Sequence, residues 1–333
     1  MISHADVVQA RRLIAGRIHR TPLVTSRTLG ELCGDTHAYL KVEAFQRTGS
    51  FKPRGALNKV LHLSDEQKRA GLVAASAGNH AQAVAYAATS EGVKCTVVMP
   101  DTAPLSKIEA SQRYGAEVVL EHSFAEAFRT ADRLRSEKGY TFIHPYDDEH
   151  IIAGAGTVGL EIVEDLTEVD TIVVATGGGG LVVGIAAAVK HTHPHVRIIG
   201  VEAELFPSMY QAIHGLEPTS GGETIAEGIA VKTPGTLTRE IVARLVDDIV
   251  LVDELTLESA VAEGATAPNV AITPSPRNLI PVLSVTSQGH TQHDPERARA
   301  GLPPVPAAAS DTGVVAPDDL AIHDGQTCGT GRS

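Results

Sequence analysis

Three short strings in this sequence carry groups that could act together in catalysis. The first, TGSFKPRGA (residues 48–56), contains Lys52; the second is SAGNH (residues 76–80), and the third is GGGG (residues 177–180). A deprotonated lysine amine attacks aldehydes. Backbone amides at a helix N-terminus or a glycine-rich turn bind anions. Together the strings indicate a site for an aldehyde cofactor that carries a phosphate, and pyridoxal phosphate has this chemistry.

Lys52 is predicted at a helix N-terminus, immediately before Pro53. The positive end of the helix and the neighbouring Arg54 both disfavour an ammonium, so we expect the pKa of Lys52 to be lowered. A lone lysine is usually a solvated surface residue. The flanking glycines and Phe51 weaken that alternative only modestly, so the prediction depends on the whole string.

The string SAGNH follows a predicted strand and precedes a helix that begins near Ala81. The free N–H groups of such a turn can bind a carboxylate. Ser76 adds a hydroxyl group, and the amide of Asn79 can reach a ring oxygen. Simple N-capping of the helix by Ser76 or Asn79 explains this string alone equally well.

The four glycines follow the apolar strand Ile172–Ala175 and precede a helix at Leu181. Glycine permits close backbone approach, so successive N–H groups can converge on a phosphate. A merely flexible turn is the alternative. The string is neither a Walker loop nor a GxGxxG fingerprint.

Composition excludes several classes of function. The net charge of −12 disfavours nucleic acid and acidic membrane surfaces as partners. The three cysteines form no CxxC pair, which argues against a zinc site or disulfides and fits a reducing compartment. No apolar stretch is long enough for a membrane span, and the N-terminus lacks a secretory pattern. We therefore expect a cytoplasmic protein.

Histidines and acids outside the three strings predict no catalytic metal centre. His191, His193 and His195 alternate beside a proline, which indicates a loop tip, and no HExxH spacing occurs. The acids of residues 147–149 are interpreted as a solvated turn. The absence of a GxSxG string disfavours a serine hydrolase.

The three strings lie within an alternating series of strand and helix patterns. This alternation predicts βαβ units with doubly wound parallel sheets. Predicted strands cover residues 38–42, 72–75, 95–99, 117–120, 171–175, 198–201 and 249–252. Predicted helices cover residues 56–63, 81–90, 107–114, 124–137, 158–166, 181–191 and 258–262. Residues 1–70 plus 149–262 are predicted to form a large domain into which a small α/β domain, residues 71–148, is inserted. The site would lie in the cleft between them.

The C-terminal segment, residues 263–333, differs in composition. It holds nine of the 18 prolines, and the chain has no lysine after Lys232. The run Leu279–Val285 is compatible with a strand, and the rest predicts loop or disorder that completes the large domain only in part. A frame change near residue 262 is one hypothesis for such an abrupt break.

As a set, the strings resemble the threonine/serine dehydratases, which are fold type II (tryptophan-synthase-β-like) pyridoxal-phosphate enzymes. The similarity covers roughly residues 5–262 and is carried by residues 41–43, 46–56, 75–82, 114–118, 144–148, 152–154, 176–181, 224–232 and 234–235. It implies two doubly wound parallel-sheet domains with pyridoxal 5'-phosphate in the cleft between them. It also implies a homo-oligomer, since relatives are commonly dimers or tetramers.

The resemblance also implies residue roles. Lys52 would form a Schiff base with the cofactor and move the substrate α-proton, while Asn79 would hold the ring hydroxyl. The phosphate would be bound by the backbone of Gly177, Gly178, Gly179, Gly180 and Leu181. The substrate carboxylate would be bound by Ser76, Ala77, Gly78, Asn79 and His80.

The implied reaction is dehydration and deamination of L-threonine, or L-serine, to 2-oxobutanoate, or pyruvate, and ammonia. Threonine, serine and 3-hydroxyaspartate are not distinguished by these strings. Similar serine racemases have a second serine where Ala77 stands, and alanine has no proton to give, so elimination is favoured. The alternatives are an amino-acid racemase and a catalytically impaired relative that still binds the cofactor.

The sequence departs from the family pattern at several positions. Ala155 stands where relatives usually have glutamine, and Ser208 stands where metal-dependent relatives have a second acid beside the one matched by Glu202. Glu202 is thus the one candidate for a cation ligand. The serine or cysteine that meets the pyridine nitrogen in relatives would be Ser284 or Ser287. We expect no effector-binding domain.

Overall fold

Two β-sheets organise the residues that the computed structural model describes, which are 2–34, 37–264 and 278–283. The strands are β1 Leu23–Thr25, β2 His37–Val42, β3 Leu72–Ala75, β4 Cys95–Pro100, β5 Glu117–Glu121, β6 Thr141–Phe142, β7 Thr171–Ala175, β8 Arg197–Ala203, β9 Asp248–Val252 and β10 Asn278–Leu283. A six-stranded sheet has the order β1-β2-β10-β7-β8-β9, and a four-stranded sheet has the order β5-β4-β3-β6.

Parallel pairing dominates both sheets. Every pair in the four-stranded sheet is parallel, and in the six-stranded sheet only the β1–β2 pair is antiparallel. All residues of β3 and β4 are buried, as expected for parallel strands covered by helices on both faces. The predicted doubly wound parallel architecture is confirmed.

Helices cover these sheets. They are α1 His4–Ile14, α2 Arg27–Leu32, α3 Lys52–Leu61, α4 Asp65–Ala70, α5 Asn79–Ser90, α6 Leu105–Arg113, α7 Phe124–Lys138, α8 Glu149–Asp165, α9 Gly180–Val189, α10 Ser208–His214, α11 Thr236–Leu245 and α12 Glu254–Gly264. Within the described ranges no helix is both long and apolar enough to cross a membrane.

Helix α8 is longer than the predicted helix 158–166. It begins at Glu149 because the carboxylate of Asp148 accepts the amides of His150 and Ile151, which caps its N-terminus. The glycine-rich first half does not favour a helix by intrinsic propensity. Tertiary packing overrides that propensity, since residues 151–163 of this helix are buried.

Glycines bring α3, α8 and α9 into close contact. A Cβ atom added to Gly154 would lie 2.4 Å from the carbonyl oxygen of Arg54, and one added to Gly184 would lie 2.5 Å from that of Ile152. Such distances leave no room for a side chain. The contact fixes the helices that begin at Lys52 and at the glycine run, so it aligns two of the three strings.

A buried ion cluster joins the same region. The guanidinium of Arg54 donates to both carboxylate oxygens of Glu43, at 2.8 Å, and of Glu161, at 2.6 and 2.9 Å. The ammonium of Lys41 lies 2.7 Å from Glu161 as well. Arg54, Glu43 and Lys41 have no solvent exposure. The cluster therefore ties β2 and the turn after it to α3 and α8.

Strand membership follows the predicted domain division. Strands between Leu72 and Phe142 form the four-stranded sheet, and the remaining strands form the six-stranded sheet. This supports an inserted small domain, although the boundaries 1–70, 71–148 and 149–262 remain predictions.

Strand β10 is the described part of the C-terminal segment. It lies between β2 and β7, and it confirms the strand predicted at Leu279–Val285. The loop or disorder predicted for the rest of that segment falls on residues 265–277 and 284–333, which lie outside the described residues.

Candidate active site

Lys52 is the first residue of α3, and its side chain is half-buried. Its Nζ donates to the carbonyl oxygen of Pro145 at 2.9 Å. Burial lowers the pKa of this lysine to about 8, so near physiological pH a far larger share of the amine is neutral than for a solvated lysine. The predicted lowering of the Lys52 pKa is confirmed. The predicted contribution of the Arg54 charge to that lowering is wrong, because the guanidinium is paired with Glu43 and Glu161.

The SAGNH turn connects the carboxyl end of β3 to α5. Ser76 Oγ accepts the amide of Gly78 at 3.2 Å, and no side chain caps α5. N-capping by Ser76 or Asn79, the alternative explanation of this string, is therefore wrong. The amides of Asn79, His80 and Ala81, in the first turn of α5, have no acceptor in the described part of the chain, so they form an anion cradle at a helix N-terminus.

His80 anchors this turn through its ring. The ring is buried, and its Nε2 donates to the carbonyl oxygen of Ile143 at 2.8 Å. Burial and the charge of Lys52 lower the pKa of His80 to about 3, so the imidazole is neutral. A carboxylate at the turn would thus meet the backbone amide of His80 and not an imidazolium. Ala77 lies at the same turn and packs partly against apolar core residues.

The glycine run connects the carboxyl end of β7 to α9. None of the amides of residues 177–182 has an acceptor among the described residues. Gly179 has a φ of +90°, and a Cβ on Gly178 would lie 2.2 Å from Cγ of Tyr146. Glycine is required by these contacts, so a merely flexible turn does not explain the run. Leu181 is buried in the core behind it.

Residues 143–147 bring the three strings together. The carbonyl oxygens of Ile143 and Pro145 accept from His80 and Lys52. The ring of Tyr146 lies against Gly178, and the backbone of Tyr146 lies against Gly180. Both anion-binding turns follow parallel strands, the place where open α/β sheets bind ligands. Tyr146 and the carbonyl of Pro145 were not among the predicted site residues. The string HPYDD (residues 144–148) could have indicated them, but it contributed only to the family resemblance.

The prediction of a solvated turn at residues 147–149 is wrong for Asp147 and Asp148, while Glu149 is exposed. Asp147 accepts the amides of Thr236 and Thr238 at 3.0 and 3.1 Å, so it caps α11. Thr238 Oγ1 donates to the carbonyl oxygen of Gly178 at 2.7 Å, which ties α11 to the glycine run. Asp148 caps α8 and pairs with Lys59.

Glu202 lies apart from these contacts. Its carboxylate is fully buried and accepts the amides of Met209 and Tyr210 at 2.9 and 2.8 Å, and burial raises its pKa to about 7. In the part of the chain that the structure describes, no three His, Cys, Asp or Glu side chains form a metal-binding group. Ser284 and Ser287, proposed partners of a pyridine nitrogen, lie outside the described residues.

Comparison with known proteins identifies the family. A family profile described as pyridoxal-phosphate dependent enzyme matches residues 14–276. The chain belongs to this family. Its two-sheet architecture is that of the fold type II enzymes, and pyridoxal phosphate is its cofactor.

Two curated proteins are similar in sequence to this chain. The L-threonine ammonia-lyase of Thermotoga maritima is 48% identical over 284 residues, which is 81% of this chain and 71% of the relative. A catabolic L-threonine dehydratase of Staphylococcus aureus strain N315 is 46% identical over 266 residues, 79% of this chain and 77% of the relative.

Solved structures agree with this placement. Maize serine racemase superimposes with a TM-score of 0.81 at 32% identity, covering 86% of this chain and 94% of the racemase. A T.th. threonine deaminase superimposes with a TM-score of 0.79 at 37% identity, covering 87% of this chain and 99% of the deaminase.

The residues present fit the cofactor. A buried lysine of lowered pKa can react with its aldehyde, and the two sets of free amides can accept a phosphate and a carboxylate.

Proposed function

We propose that this chain converts L-threonine, or L-serine, to 2-oxobutanoate, or pyruvate, and ammonia. The observation that carries the proposal is a half-buried lysine amine with a pKa of about 8 that contacts the segment joining two anion cradles. The proposal is supported by the relatives that are named threonine ammonia-lyase and threonine dehydratase.

Each group of the site has a proposed task. When bound, the cofactor supplies an electron sink for the bonds of the substrate Cα. Lys52 Nζ would hold the cofactor at its aldehyde carbon and would take the proton from the substrate Cα. The amides of residues 177–181 hold the phosphate, and Asn79 holds the ring oxygen. The turn Ser76–His80 would hold the substrate carboxylate, through the Ser76 hydroxyl and the free amides of Asn79 and His80.

Ala77 supports elimination over racemisation. Racemisation requires a proton donor on the face of the substrate opposite Lys52, and the methyl group of Ala77 carries no acidic proton. Without a proton donor at Ala77, the site would favour loss of the substrate β-hydroxyl group over return of a proton to the second face. The racemase fold neighbours do not alter this argument, because the same fold carries both reactions.

We further propose a cytoplasmic homo-oligomer, a dimer or tetramer, with no nucleic-acid or membrane partner. The acidic charge and the free thiol of the buried Cys95 support the compartment.

The test is an absorption spectrum of the purified holoenzyme, followed by addition of L-threonine and L-serine with detection of 2-oxoacid and ammonia. We expect a visible cofactor band, stoichiometric 2-oxobutanoate and ammonia, and loss of the protein-linked band in Lys52→Ala. Chiral analysis of the remaining amino acid is run in parallel. D-allothreonine from L-threonine, or D-serine from L-serine, without 2-oxoacid would establish a racemase, and a cofactor band without either product would establish an impaired relative.

A further inference from the structure

Lys107 is a buried cation at the edge of the proposed cofactor site. It lies on α6, its side chain is 9% exposed, and its Nζ donates to Asn79 Oδ1 at 3.1 Å. Within the described residues no carboxylate oxygen lies within 4.0 Å of this ammonium. Glu227, in the TIAEGIAVK string, attracts it from a longer distance. The ammonium is thus desolvated without a contacting counter-charge.

A buried ammonium in this state is costly unless an anion accompanies it. Burial accordingly lowers the pKa of Lys107. Its hydrogen-bond partner is a neutral amide oxygen, which satisfies a donor but supplies no negative charge. The compensating anion is therefore expected from a ligand on the far side of Asn79.

The contact also determines how the Asn79 amide is oriented. An ammonium can only donate hydrogen bonds, so the oxygen of the amide must face Lys107. The Nδ2 group must then point the other way, and it has no acceptor in the part of the chain described here. Asn79 thus presents a donor, polarised by a positive charge behind it, to the cofactor site.

We propose that Lys107 is a positioning residue that orients the Asn79 amide towards the cofactor ring oxygen and favours the anionic form of that oxygen. The proposal rests on the cofactor site described under Proposed function. In this relay Lys107 donates to Asn79, and Asn79 donates to the ring oxygen. The positive charge of Lys107 strengthens both hydrogen bonds, and no proton is transferred. The anionic oxygen is the counter-charge that the buried ammonium lacks.

The test compares absorption spectra of holoenzymes at one pH. The form with an anionic ring oxygen absorbs in the visible, and the form with a neutral ring oxygen absorbs in the near ultraviolet. In Lys107→Met we expect the ratio of visible to near-ultraviolet absorbance to fall by about tenfold, the effect of losing one charge-assisted hydrogen bond. Lys107→Arg, which keeps a donor and a charge, should stay within about twofold of the original ratio. Arg113→Met, on the exposed face of the same helix, should not change it.

An unchanged ratio in Lys107→Met overturns the proposal, and so does an equal loss in Lys107→Met and Lys107→Arg. Should Lys107→Met fail to fold, Asn79→Asp provides the second test. Its carboxylate pairs with Lys107 but offers the ring oxygen no N–H group, so the same loss of visible absorbance is expected, and an unchanged ratio rejects the relay.

The two proposals fail separately. Formation of 2-oxobutanoate by the unmodified enzyme, together with an unchanged ratio in Lys107→Met, rejects the relay alone. A tenfold change of the ratio in an enzyme that forms no 2-oxoacid supports the relay and rejects the proposed reaction alone.

Discussion

At the scale of single residues, the reactivity of Lys52 follows from desolvation. Its amine lies in the cleft and donates to a backbone carbonyl, and the nearest guanidinium, that of Arg54, is neutralised by two glutamates. Burial penalises the charged ammonium directly. The lysine therefore needs no cationic neighbour to become a nucleophile near neutral pH.

This cause predicts the pH dependence of cofactor incorporation. Because the free base is the nucleophile and the pKa of Lys52 lies at about 8, the rate at which apoprotein takes up pyridoxal phosphate should rise about tenfold per pH unit below pH 8 and then level off. Stopped-flow absorbance measures this rate. Free Nα-acetyl-lysine is the control, since its rate should rise until about pH 10. A protein rate that also rises to pH 10 would show that the amine is solvated.

Gly178 is predicted to be essential for the phosphate cradle. An added Cβ would collide with the Tyr146 ring, so Gly178→Ala must displace the loop and its amides. We expect cofactor affinity to fall by at least about tenfold, in keeping with the usual cost of overpacking. Equilibrium titration of apoprotein measures it. Gly221→Ala is the matched control, because nothing lies within 4 Å of its added Cβ, and equal affinities in the two variants would contradict the prediction.

The sequence could indicate the reactive residues but not their partners. Lys52, the SAGNH turn and the glycine run are contiguous strings, so residue type and local pattern were sufficient to find them. The partners Pro145, Tyr146 and Lys107 reach the site through contacts between residues far apart in the sequence, which local patterns do not reveal. The explanation of the Lys52 pKa was wrong for the same reason, since the direction in which Arg54 points is a tertiary property.

At the scale of elements, helices α3, α8 and α9 are the frame of the site. Predicted strands agree with the structure within a few residues, because apolar β-branched runs between turns are a strong local signal. The first half of α8 was not predicted, since its glycines weaken the helical pattern and are required only by the close approach of α3 and α9. The short strands β1 and β6 carry too few residues to form a pattern.

The buried ion cluster of this frame gives a stability prediction. Arg54→Met leaves the carboxylates of Glu43 and Glu161 buried without their main counter-charge, so the free energy of unfolding should fall by about 3–5 kcal/mol. Urea unfolding of the apoprotein at pH 7 measures this loss.

Arg27→Met is the control for that variant, because the Arg27–Glu31 pair is solvent-exposed and should contribute less than about 1 kcal/mol. The pKa of Glu161 is lowered by its cationic partners, so its contribution to stability is present above pH 4.5 and is lost as the pH falls further. A loss in Arg54→Met no larger than that in Arg27→Met would contradict a structural role for the cluster.

At the scale of the whole molecule, the six-stranded sheet depends on the C-terminal segment. Strand β10 pairs with both β2 and β7, although the composition of residues 263–333 predicted little regular structure. Proline content is a local signal, and it did not reveal that a strand from this segment occupies the middle of the sheet. The described strand thus lies within the compact unit Met1–Gly289.

Two truncations test this dependence. A chain that ends at Gly289 keeps the compact unit and should retain the visible cofactor band and 2-oxoacid formation. A chain that ends at Gly264 lacks β10 and leaves β2 and β7 with unpaired edges, so we expect aggregation and no cofactor band. Soluble yield and absorbance measure both. Full cofactor binding by the shorter chain would show that β10 does not contribute to the site.

The position of β10 also determines when the enzyme can assemble during its synthesis. The four-stranded sheet is made from consecutive segments between Leu72 and Phe142, so its pairings become available early. Strands β2 and β7 cannot pair with β10 until β10 has been synthesised, and β10 follows β2 by more than 200 residues. At elongation rates of about 5–20 residues per second that delay is about 10–50 s. Every nascent chain therefore carries an open, apolar sheet until its last segments leave the ribosome, and the lysine near its start acquires a finished site only then.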